Sequence, residues 1–177
     1  DDSSNSNDGT SSVMTQSALQ QSDLSFKTSI SPFALNFDGT DDRIDCGQDS
    51  SLDFQNTDSF SFSIWFNDDN TSGGTYNLIT KQQSGGDLSG IQFYVNNMTV
   101  NAFLYGSGYS NISATSNTIN SGWNHALFTY DGSELNSGLN VYINGNLNTA
   151  TRSGTITGSI SVPTTSLFIG SRNTTQF

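Results

Sequence analysis

One cysteine, one histidine, one glutamate and two prolines are scattered through the 177 residues, so several kinds of site are ruled out at once. Cys46 alone can form no intrachain disulfide and no thiolate zinc cage, and His125 alone excludes a multi-histidine metal centre. Basic residues are nearly as scarce: 5 Lys and Arg stand against 16 Asp and Glu, a formal charge of −11. A phosphate backbone would find almost no cations on such a surface, which argues against nucleic acid as a partner. No apolar run approaches the ~20 residues needed to span a bilayer, so membrane insertion is not expected. Strong helix formers are few. Ser, Thr and Asn supply 30, 20 and 20 residues, and their side chains compete with the helical backbone for its hydrogen bonds, which excludes an all-helical fold. The length suits one domain.

Apolar residues are spaced for strands. Ser59 to Phe66 alternates so that Phe60, Phe62, Ile64 and Phe66 share one face, expected to be buried, while Ser61, Ser63 and Trp65 take the other. The same period recurs in Ile91, Phe93 and Val95, in Met98, Val100, Ala102 and Leu104, and in Trp123, His125, Leu127 and Thr129. It returns in Leu139, Val141 and Ile143, and in Leu167 and Ile169. Asp38-Gly39, Gly73-Gly74, Asn96-Asn97, Asp131-Gly132 and Asn144-Gly145 punctuate these runs, and such pairs favour the positive φ angles of tight turns. Many short strands joined this way predict an all-β antiparallel sandwich or barrel. No fixed repeat is visible, which disfavours a propeller or solenoid. Residues 1–31 are polar and aperiodic and read as a loop or tail; residues 156–165, with Pro163, read as an edge strand or crossing loop.

Several segments are similar to a known family. Ala34-Leu35-Asn36-Phe37-Asp38-Gly39-Thr40-Asp41-Asp42-Arg43-Ile44 resembles the "ALxFDGxDDxI" opening of laminin-G-like domains in the concanavalin A-like lectin/glucanase superfamily. Phe60 to Phe66 resembles the "FTISAWV" strand, Gly122 to Gly132 the "GxWHHVAxTYDG" segment, Val141 to Gly145 the "xxYxNG" hairpin, and Leu167 to Gly170 the "LxIG" strand. The head, Asp2 to Thr10, is similar to "DSSGNxNDGT". The resemblance implies a concanavalin A-like jelly roll of two antiparallel sheets over residues 1–177. Two departures stand out. Asn124 replaces the first histidine of "WHH", removing whatever that histidine does. The closing "GxIDExxIxxxxL" segment does not follow, so a domain lacking its last strand, or part of a longer chain, is expected.

Glucanases share this fold, and glycoside hydrolysis usually needs two carboxylates roughly 5–9.5 Å apart. Only Glu134 is present as glutamate, and no predicted strand carries two Asp at alternate positions, so no catalytic residues are assigned and no enzyme is expected. Asp38, Asp41 and Asp42 crowd one turn and could serve a Ca²⁺ ion, which takes 6 to 8 oxygens, or could simply cap the turn. The resemblance implies a structural calcium in some members, with the N-terminal Asp2 loop close by.

Sugar binding needs an aromatic plate beside a few polar groups. Trp65 and Tyr142 have the parity opposite to the core residues of their strands, and Tyr105 and Tyr109 flank Gly106-Ser107-Gly108; ordinary cross-strand packing is the competing reading. Sequons at Asn70, Asn97, Asn111 and Asn173 follow from composition and carry no information. The function expected is a non-catalytic recognition or adhesion module, extracellular, secreted or on a virion surface. It would bind a cell-surface glycan weakly and gain strength from multivalent display. The alternative is a structural decoration protein packed against neighbouring subunits of a capsid or filament.

Overall fold

The computed structural model describes residues 10–12, 19–21, 33–68, 73–83, 88–162 and 164–172. Strands in chain order are β1 (Thr10–Ser12), β2 (Leu19–Gln21), β3 (Phe33–Leu35), β4 (Arg43–Asp45), β5 (Phe60–Asp68), β6 (Thr75–Gln82) and β7 (Gly90–Asn96). Then follow β8 (Thr99–Tyr105), β9 (Asn111–Thr118), β10 (Gly122–Tyr130), β11 (Leu139–Ile143), β12 (Asn146–Leu147), β13 (Thr149–Thr155) and β14 (Phe168–Ile169). An eight-stranded sheet in the order β1-β4-β14-β6-β7-β8-β9-β13 accompanies a four-stranded sheet, β12-β11-β10-β5, and β2 pairs with β3. Every pairing is antiparallel, as a concanavalin A-like sandwich requires.

The core is the layer between the two large sheets. Phe93 on β7 stacks on Phe128 of β10 with centroids 4.2 Å apart and planes within 5°. Val100, Ala102, Leu104, Leu139 and Val141 around them are fully buried, as their alternation predicts. Phe60, Phe62, Ile64 and Phe66 do face inward, yet each is only half-buried, because among the described residues β5 is an edge strand with no neighbour on its far side. Edge position, not register, sets that difference.

Three sequence expectations change. On β10 the buried face is Asn124, Ala126, Phe128 and Tyr130, so Trp123, His125, Leu127 and Thr129 look away from the core. Both parities of that strand contain apolar residues, and only the partner sheet decides between them. Within residues 1–31, β1 and β2 are strands, too short for any alternation to register. The β7–β8 turn is Asn97-Met98, with φ of 45° and 61°, one residue later than Asn96-Asn97.

Residues 156–162 form a crossing loop whose Ile156, Ile160 and Val162 are buried. Asp53 holds it, accepting from Ser161 Oγ at 2.6 Å and from the Val162 amide at 2.9 Å. Lys81 Nζ donates to Thr165 O at 2.5 Å beyond it. Burial pushes the Lys81 amine below its usual range, with Asp53 opposing.

Candidate functional site

The outward face of the four-stranded sheet gathers an aromatic and polar cluster. Pairing of β5 with β10 sets Trp65 opposite His125 and Ser63 opposite Leu127. On the other side of β10, Leu127 faces Tyr142 of β11, which in turn faces Leu147 of β12. Trp65 is 48% exposed and Leu147 60%. The Trp65 and His125 rings lie 5.1 Å apart, inclined at 42°, and His125 Nε2 meets Ser63 Oγ at 2.7 Å. The hydroxyl thereby fixes the imidazole beside the indole, and the two rings form one stepped plate. An exposed indole with a polar group at its rim suits a ligand that is apolar on one side and hydroxylated on the other.

The backbone beneath is latched by the Asn144-Gly145 turn. Asn144 and Gly145 have φ of 51° and 82°, the tight-hairpin geometry their sequence predicts. Asn144 Oδ1 accepts from the His125 amide at 2.9 Å, and Asn144 Nδ2 donates to Asn124 Oδ1 at 3.1 Å. Asn124, 2% exposed, donates on to Asn120 O at 2.9 Å and Gly122 O at 3.1 Å. The residue replacing the family histidine therefore has a role of its own, tying the loop before β10 to the turn after β11. Sequence reasoning missed it because its partners are carbonyls whose positions only the register supplies.

Tyr105 and Tyr109 belong to another part of the molecule. Tyr105 lies on the face of the eight-stranded sheet turned away from the core, stacked on Phe103 at 5.4 Å, and Phe103 stacks on Tyr94 at 5.8 Å. That face is taken up by its own bonds: Gln92 Nε2 donates to Asn77 Oδ1 at 3.0 Å, Thr115 Oγ1 to Asn101 Oδ1 at 2.9 Å, and Arg172 Nε to Gln82 Oε1 at 2.7 Å. Burial, and secondarily Tyr94, pushes the Tyr105 phenol up to about 12. Tyr109 is 54% exposed in the loop after β8, at φ 66°. Of the four aromatic residues singled out in the sequence, only Trp65 and Tyr142 share a surface.

The acidic turn forms as its residues suggest. Carboxylate oxygens of Asp38, Asp41 and Asp42 come within 4.8 Å of one another, the last of them buried. Asp38 Oδ1 accepts from the Thr40 amide at 2.7 Å, and Asp42 Oδ2 from the Asp38 amide at 3.0 Å. Among the described residues, Asp38 Oδ2, Asp42 Oδ1 and the Asp41 carboxylate have no hydrogen-bond donor, and they are hard oxygens of the chemical type Ca²⁺ takes, three of the six to eight it needs. Asp2 lies outside the described residues.

Glu134 is spent on structure. It accepts from Asn56 Nδ2, while buried Tyr130 donates its hydroxyl to Asn56 O at 2.8 Å and accepts from the Glu134 amide at 2.8 Å.

A family model described as the concanavalin A-like lectin/glucanases superfamily matches residues 38–177, most of the chain. The chain belongs to this superfamily. No curated protein matches it. Among solved structures it is similar to the binding domain of botulinum neurotoxin serotype D, at 16% identity and a TM-score of 0.56, over 74% of this chain and 32% of that one. It is also similar to the binding domain of Paraclostridial Mosquitocidal Protein 1, at 16% identity and a TM-score of 0.53, over 76% and 35%. A third is the serotype D ligand-binding domain in complex with N-acetylneuraminic acid, at 15% identity and a TM-score of 0.50, over 78% and 38%. The chain thus spans about a third of the length of these domains, and at such identity the likeness is one of fold. Among the described residues, no helix is long and apolar enough to cross a membrane.

Proposed function

We propose that this superfamily member is a non-catalytic, extracellular recognition module that binds glycans on the outward face of its four-stranded sheet. The observation that carries this reading is the exposed Trp65 indole set beside an imidazole that Ser63 holds in place. Tyr142 extends the plate across the sheet. Binding at a surface this shallow is weak for one copy, since few buried hydrogen bonds offset the ordering of a flexible sugar. Display in many copies, on a secreted assembly or a virion, raises the effective concentration and makes attachment firm.

This reading assigns no reaction to the surface. The single glutamate is bonded to Asn56, away from the plate, and glycoside hydrolysis wants two carboxylates across a scissile bond. Asp38, Asp41 and Asp42 are proposed as ligands of a structural calcium that stiffens the turn before β4. That ion would serve the fold and not the sugar.

The test is a glycan array probed with the protein displayed on a multivalent carrier and with the free chain. Binding by the displayed form, lost on Trp65→Ala at an unchanged melting temperature, supports the reading. No binding in either form leaves packing against neighbouring structural subunits as the function.

A further inference from the structure

The face that carries Trp65 contrasts with the rest of the chain in its charge. The protein holds 16 acidic residues, yet the outward positions of β5 from Ser61 to Asn67, of β10 from Trp123 to Thr129 and of β11 at Asn140 and Tyr142 contain no Asp, Glu, Lys or Arg. They offer indole, phenol, imidazole, hydroxyl and amide groups. Arg152 reaches the β11 margin from β13, but its Nε donates to Leu139 O at 3.1 Å and its Nη2 to Asn140 Oδ1. A ligand bearing carboxylate or sulfate would approach a molecule of charge −11 and, among the described residues of these strands and their margin, meet this partly committed guanidinium as the one cation.

Register also sets a length. Trp65 is opposite His125, and Tyr142 is opposite Leu127, two residues further along β10. Two inter-strand steps and two residues of rise place the Trp65 and Tyr142 backbones about 12 Å apart, oblique to the strands. That exceeds one pyranose ring. Between the two plates His125 spends Nε2 on Ser63, and its Nδ1 has no hydrogen-bond partner among the described residues.

Building on the glycan-binding reading, we infer that the ligand is an uncharged oligosaccharide of more than one ring, laid obliquely from Trp65 to Tyr142. One ring stacks on the indole, another on the phenol, and His125 Nδ1 exchanges a hydrogen bond with a hydroxyl between them. Neutrality follows from what the face lacks, and length from the strand register.

The experiment titrates the full chain with uncharged glucose, galactose and mannose oligomers of one to four units, alongside counterparts carrying a sialic or uronic acid, at low and high salt. For at least one series, affinity should rise tenfold or more between one ring and two or three rings. Tyr142→Ala should remove that gain and leave monosaccharide-level binding, whereas Trp65→Ala should abolish both. Acidic counterparts should bind several-fold more weakly at low salt, with the gap closing as salt is raised. Single rings binding as tightly as oligomers, or acidic sugars binding more tightly at low salt through Arg152, would overturn this inference while the glycan-binding reading stood. Loss of neither by Trp65→Ala, or no binding by any sugar, would overturn the reading beneath it.

Discussion

Trp65 on β5 and His125 on β10 are direct cross-strand neighbours whose rings lie 5.1 Å apart on the solvent side of the small sheet. The same pairing sends Ile64 and Ala126 inward as opposite numbers, so one register serves both the core and the surface plate. A slip of one residue would bury the indole and expose the phenylalanines.

Core energetics should grade with depth. Phe93 is fully buried and stacked on Phe128, and Phe93→Ala should cost about 3–5 kcal/mol. Phe62 touches Phe93 at 5.4 Å from a half-buried edge position, so Phe62→Ala should cost less, about 2–3 kcal/mol. Urea melts of both variants check the order; equal losses would place β5 as deep in the core as β7.

Asn144 bonds both the His125 amide and the Asn124 side chain. Asn144→Ala should cost about 1–3 kcal/mol, since it leaves the buried Asn124 oxygen unpaired and puts alanine at positive φ. Because the latch sits beneath His125, glycan affinity should fall together with the denaturation midpoint.

Alkali should unfold the protein through its tyrosines. Tyr105 is raised from the ordinary 10 to about 12 by burial and by Tyr94, so above pH 10 the unfolded chain releases a proton that the folded chain keeps. This contribution is whole below pH 10 and is lost as pH climbs towards about 12. Burial also raises Tyr94 and Tyr130, which act in the same direction. Lys81, lowered by burial, acts oppositely, adding stability as pH rises towards 10.5. Melting temperatures from pH 8 to 12 should fall less steeply for Tyr105→Phe than for the parent chain.

Millimolar calcium should raise the melting temperature if the turn at Asp38, Asp41 and Asp42 takes the ion, because binding only to the folded state stabilises it by mass action. Asp38→Asn should remove that increment. An unchanged melting temperature in the parent chain would make these residues turn caps and nothing more.

Alternation and turn residues made the fold legible. Val100 to Leu104 and Leu139 to Ile143 are buried in the parity their sequence shows, and Asn144-Gly145 turns as predicted. The parity of β10 was not legible, since Leu127 and Phe128 are neighbours on opposite faces and the stack against Phe93 depends on the other sheet. The site was half legible for a related reason. Trp65 opposes the phenylalanines of its own strand, which is local information. Which sheet a strand joins is not local, and Tyr105 on β8 therefore lands on a different surface from Trp65 on β5.

The central claim is tested most directly by following the two indole N–H signals of Trp65 and Trp123 in ¹⁵N-labelled protein as uncharged oligosaccharides are added, with Trp65→Phe assigning the peaks. Glycan binding on the four-stranded sheet should give a saturable shift of the Trp65 indole and of the backbone amides of His125 and Tyr142, with those of Tyr105 and Tyr109 unmoved. Shifts confined to the eight-stranded sheet, or no shift with any sugar at millimolar concentration, would contradict it.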